Sequence, residues 1–175
     1  GESDEMKLAA KAAQLRTSER VTEPVDLRPY LAVRQNEVSF GWTLANGVLE
    51  SPNSNRTPVV IDLVPPAEYS LIAEVEPLGD NRGPVFALSA GGKRVHVLLD
   101  FNGASAIENV DGRSVTANPT RREGTFLERG KKSKIVCTVR DGRIHVSVDG
   151  TTVIDFTGSF DRLSQNLNWD PEDTD

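Results

Sequence analysis

KIVCTVRDGRIHVSVDGTTVIDF, residues 134–156, alternates apolar and polar side chains on either side of two Asp-Gly pairs, and this pattern decides the fold class. Ile135, Cys137 and Val139 interleave with Val136, Thr138 and Arg140. After Asp141-Gly142, Ile144, Val146 and Val148 interleave with Arg143, His145 and Ser147. A two-residue type I′ turn at Asp141-Gly142 sets Val139 opposite Ile144, Cys137 opposite Val146 and Ile135 opposite Val148, giving one apolar face. At Asp149-Gly150 the same turn would carry Ile154 and Phe156 to the polar side. The expectation there is a longer connection, with Gly150 at a left-handed bulge position, that returns both to the apolar face. Three antiparallel strands with one oily face need a second sheet to cover it, so the predicted fold is an all-β, antiparallel two-sheet sandwich.

The rest of the chain reads in keeping. Gly91-Gly92 predicts a second hairpin with Leu88 opposite Val95 and Phe86 opposite Val97, leaving Ser89, Arg94 and His96 on the reverse side. Short apolar runs at 40–44, 47–50, 59–63, 69–76, 85–89 and 94–101 are punctuated by Pro and Gly, as in all-β domains. Residues 102–131 are polar and weakly periodic and read as a long functional or crossover loop carrying Asn118 and Arg121. Residues 4–20 are rich in Ala and straight-chain residues, with Leu8, Ala12 and Leu15 on one face, and predict an N-terminal helix. The expected organisation is a helix or linker over 1–22, a sandwich domain over 23–163 and an acidic tail over 164–175.

The chain has 175 residues, enough for one domain with a substantial core. A net charge of −6 and an isoelectric point near 5.0 argue against nucleic acid as a partner, and no apolar run reaches membrane-spanning length. The single cysteine, Cys137, excludes an internal disulfide and falls on the apolar side of its strand, which marks it as a packed thiol. His96 and His145 lie on separate strands with no further ligand at suitable spacing, so neither a metal nor another cofactor is expected.

Several short motifs carry a family resemblance: Gly41-Trp42, Gly47-Val48-Leu49, Ser51-Pro52, Pro65-Pro66-Ala67-Glu68-Tyr69, Leu98-Leu99-Asp100, Asn118-Pro119-Thr120 and Val139-Arg140-Asp141-Gly142. From about Val25 to Arg162 the chain resembles the bacterial concanavalin A-like lectin/glucanase jelly rolls, and more particularly modules related to the 3-keto-disaccharide hydrolase domain. The resemblance implies a jelly-roll form of the sandwich, a carbohydrate or protein partner bound on a concave sheet face, and an extracytoplasmic setting. Such domains continue past the position of Trp169 into a closing strand, a pattern this sequence lacks.

Alternation places Glu74, Glu76, Arg94, His96, Asp100, Thr138, Arg140, Arg143 and His145 outward. The expected ligand site gathers Glu76, Arg94, His96 and Asp100 with Asn118 and Arg121 from the loop, and Trp42 as a stacking wall. Carboxylates and guanidinium groups there would pair with sugar hydroxyls. Glu74 and Glu76, two apart on a strand, have Cα atoms about 6 to 7 Å apart and open a second reading, a glycoside hydrolase acting through this pair. The third is a purely structural interaction domain. A non-catalytic binding module is the leading expectation.

Overall fold

A computed structural model describes residues 23–31, 41–53, 58–79 and 83–165. The chain divides into two compact units, Gly1–Pro66 with Thr174–Asp175, and Ala67–Asp173. The division falls inside the 23–163 span that the sequence treats as one domain. The expected N-terminal helix and most of the acidic tail, including Trp169, lie outside the described residues.

In the first unit, a 3-10 turn at Arg28–Tyr30 is held by Asp26, whose carboxylate accepts from the Arg28 backbone N–H at 3.0 Å and from its guanidinium at 2.6–3.0 Å. Strands β1 (Thr43–Ala45) and β2 (Val48–Glu50) form a hairpin across Asn46-Gly47, both with left-handed φ (52° and 74°). Two successive positive φ angles make the type I′ turn, whose twist matches that of the strands it joins.

The second unit is mostly strand: β3 (Tyr69–Val75), β4 (Val85–Ala90), β5 (Lys93–Phe101), β6 (Ala104–Ile107), β7 (Asn109–Val110), β8 (Arg113–Ser114), β9 (Arg122–Glu123), β10 (Ser133–Arg140), β11 (Arg143–Val148), β12 (Thr151–Thr157) and β13 (Leu163–Ser164). Among the described residues these form two four-stranded antiparallel sheets, β12-β11-β10-β3 and β4-β5-β6-β9, and a small sheet β13-β7-β8. Both large sheets feed one core. Ile135, Cys137, Val139, Ile144, Val146, Val148, Ile154 and Phe156 from the first meet Leu88, Val95, Val97, Leu99 and Ile107 from the second, with Leu71, Val75 and Phe86 packed against them. This shared core is consistent with a β-sandwich architecture. Tyr69, inward on β3, joins the sheets: its hydroxyl accepts from the Ser89 N–H at 2.8 Å and donates to the Ser89 carbonyl at 3.1 Å.

The β10–β11 and β4–β5 hairpins have the registers predicted from alternation, but the two Asp-Gly turns differ from expectation. Of Asp141-Gly142 only Gly142 is left-handed (φ 63°), so this turn is not type I′. The Glu68 carboxylate accepts the Asp141 N–H there at 3.0 Å. Conversely, Asp149-Gly150 is the tight two-residue turn, with φ of 48° and 80° and Val148 opposite Thr151. The predicted return of Ile154 and Phe156 to the core does occur, through a different device. The pairing moves from Ser147–Thr152 to Val146–Ile154, leaving Val153 as the extra residue of a bulge inside β12. Val153 is itself buried, so two consecutive residues of β12 enter the core.

The 102–131 segment is not a long loop. Its ASAI run is β6, an interior strand. Beyond β6 the backbone of Ile107 is satisfied by side chains: Thr120 Oγ1 accepts its N–H at 3.0 Å and Asn118 Nδ2 donates to its carbonyl at 2.7 Å. Asn118 Oδ1 in turn accepts from the Thr120 hydroxyl and N–H. Two buried side chains thus take the place of a strand neighbour at this position.

Cys137 is a free thiol at the centre of β10, and burial pushes its pKa up to about 12. An acid whose folded-state pKa is raised contributes stability below its unfolded value of 9.0, and that contribution is lost as pH climbs toward 12. Tyr69, raised from 10.0 to about 12, has the same sign. Two results follow. At pH 8 the native protein should resist thiolate-directed alkylation that modifies the urea-unfolded chain completely. Unfolding free energy should also decline between pH 9 and 12, with a shallower slope in Cys137→Ala. Rapid labelling of the native thiol would contradict this placement of β10.

Candidate functional site

The residues selected from the sequence come from different sheets and segments. Glu74 lies on the outer face of β3, opposite Lys134 of β10, and Glu76 follows the end of that strand. Arg94, His96 and Asp100 belong to β5 in the other sheet. With the core between the sheets, their outer faces look in opposite directions, so Glu74 does not share a face with the β5 residues. Trp42 belongs to the first unit.

Most of these side chains already have structural work. His96 is only 4% exposed, and its Nδ1 lies 2.9 Å from Oε2 of Glu108, itself buried. Leu98 and Ala106, paired on the same side of the sheet, are buried too, so the centre of this face is not a solvated patch. Asp100 sits at a break in the β5–β6 register with φ 49°. Its backbone N–H donates to Ser105 Oγ at 2.9 Å, while its carboxylate accepts the N–H groups of Phe126 and Leu127 at 2.7–3.0 Å. That carboxylate therefore anchors the 126–127 segment, which brings Leu127 into the core. Asn118 is committed to Ile107 as described. Arg121 donates to the Val115 carbonyl at 3.2 Å and approaches Glu123 at 3.5 Å.

A different cluster is gathered on the outer face of the β12-β11-β10-β3 sheet. Thr138, Arg140, Arg143 and His145 line a shallow groove of about 230 Å³. Cross-strand pairing builds it directly: Thr138 faces His145, and Arg140 faces Arg143 at the last pair before the turn. On one flank Ser70 Oγ lies 3.1 Å from Thr138 Oγ1; on the other, His145 Nε2 lies 3.1 Å from Thr152 Oγ1. Asp155, opposite His145, receives Arg143 in a two-point pair at 3.0 and 3.1 Å. This hydrogen bonding holds the Asp155 carboxyl below the usual carboxylate range and raises the Arg143 guanidinium. Arg140 is held differently, through one nitrogen only. Its Nη1 donates to the carbonyls of Tyr69 (2.9 Å) and Val139 (2.8 Å), and among the described residues no carboxylate comes within ion-pair distance.

All four groove residues were legible as outward from alternation. Thr152 and Asp155 were hidden, because the bulge at Val153 sets which residues of β12 join this face. A second hollow of about 340 Å³, lined by Thr125, Phe126, Leu127, Glu128, Lys131, Ser133 and Asp149, lies where the 125–133 segment meets the Asp149 turn. Among the described residues no three His, Cys, Asp or Glu side chains group so as to hold a metal, and no helix is long and apolar enough to cross a membrane. Comparison of the chain with protein-family models, with curated proteins and with solved structures finds no match.

Proposed function

We propose that this chain is a non-catalytic binding module whose ligand is a carbohydrate, held on the outer face of the β12-β11-β10-β3 sheet, with the sandwich of the jelly-roll, concanavalin A-like kind. The observation that carries the reading is the open groove on that face, lined by a hydroxyl, an imidazole and two guanidinium groups and bordered by Ser70 and Thr152. Sugars present dense arrays of hydroxyls that both donate and accept, and a sheet face with polar side chains at strand spacing offers matching partners. Glu74 and Glu76 line neither of these two hollows, so the groove residues rather than that carboxylate pair support the reading.

A glycan array probed with the purified chain, followed by calorimetry on the hits, tests this. Retention of one or more glycans, with no hydrolysis product after prolonged incubation, is the expected result. Turnover abolished by Glu76→Gln would replace the module with an enzyme. An array without hits, together with capture of a protein ligand on the same face, would assign the surface to protein interaction.

A further inference from the structure

Resting on that carbohydrate reading, we propose that the Arg140–Arg143 groove selects acidic glycans, with Arg140 as the residue that takes the sugar carboxylate. Three observations converge on it. First, Arg140 and Arg143 are direct cross-strand partners. Like charges in that position repel, a local cost that folding alone gives no reason to keep. Asp155 offsets the charge of Arg143 by a two-point ion pair, while among the described residues Arg140 is steadied by main-chain carbonyls through Nη1. The Nε and Nη2 edge of Arg140 is thus a positioned fork, and a planar carboxylate is the group that such a fork binds through two parallel hydrogen bonds.

Second, the groove sets further polar side chains beside Arg140. Thr138 and His145, direct cross-strand partners, line it together with Arg140 and Arg143 in a space of about 230 Å³. Third, the paired positions of this outer face carry no Phe, Tyr or Trp: Ser70, Ile72, Glu74, Lys134, Val136, Thr138, Arg140, Arg143, His145, Ser147, Thr152, Asp155 and Thr157 make it up. A neutral sugar is commonly held by stacking on an aromatic ring, and these paired positions offer none. Charge is the remaining source of selectivity. The chain as a whole carries −6, so an anion would be repelled except where cations are concentrated as they are here.

The test titrates the chain with a galacturonate trisaccharide, with its fully methyl-esterified counterpart and with a neutral galactose trisaccharide, by calorimetry and amide chemical shifts. The acid should bind at least tenfold more tightly than either uncharged sugar and weaken as salt rises. Shifts should centre on Thr138, Arg140 and His145. Arg140→Gln should lose about tenfold affinity for the acid without changing the spectrum elsewhere, and Arg140→Lys should recover only part of it. Equal binding of acid and neutral sugars, unaffected by Arg140→Gln, would overturn acidic selectivity while leaving the carbohydrate module standing. Binding of a polyglutamate peptide with no binding of any of the three sugars would overturn both.

Discussion

Ile144→Ala is expected to lower the unfolding free energy by about 2–5 kcal/mol, the range for truncating a fully buried Ile that its neighbours cannot collapse around. Ile144 has no exposed surface and lies between Val139 on β10 and Phe156 on β12, in the middle of three paired strands. Phe156 stacks on Phe160 at 6.5 Å and lies under the Arg162 guanidinium, so its ring is fixed from outside and cannot move in to fill the space. The neighbouring Val146→Ala removes less volume and should cost about 1–3 kcal/mol. Urea unfolding followed by fluorescence gives both values, and an unchanged dependence on denaturant would show that the effect lies in the native core. A loss below about 1 kcal/mol for Ile144→Ala would mean that the two sheets do not close over this position.

The parts of this fold that could be read from sequence are those where pattern alone sets geometry. The β10–β11 and β4–β5 registers follow from strict alternation across a two-residue turn, since a slip of one would turn every apolar side chain outward. All the core positions expected from those strands are in the core. Geometry that depends on contacts distant in sequence was not legible. The bulge at Val153 answers to the core it faces, and the tight turn beside it leaves no mark distinguishing it from a longer one. β6 is a four-residue run, Ala-Ser-Ala-Ile, with no strong alternation, and all four are buried. Asn118 and Thr120 look like loop residues available to a ligand, and only the structure shows them spent on the backbone of Ile107. The site suffered most, because alternation assigns a side chain to a face but does not say which sheet that face belongs to. Alternation assigns Glu76 and Asp100 alike to an outward row, yet one follows β3 and the other belongs to β5 in the other sheet.

The buried pair His96–Glu108 should produce the largest single loss when broken from one side. His96→Ala is expected to cost about 3–5 kcal/mol, because it takes away the imidazole 2.9 Å from a carboxylate that water reaches poorly. The leucine at position 98, interrupting the polar row His96, Leu98, Asp100, is the sequence sign that this side of β5 is covered. Once a face is covered, a histidine on it serves the fold, and its polar atoms need internal partners. Replacing both residues by apolar ones of similar volume, His96→Leu with Glu108→Met, should restore part of the stability, since neither member of the pair then faces an apolar side chain in place of the other. The single variants and the double variant form a cycle whose coupling energy is measured by chemical unfolding. Affinity for an acidic glycan should be unchanged in the double variant, because the groove lies on the other sheet. Near-neutral single variants combined with a loss of glycan binding would reverse the assignment and make His96 part of the ligand site.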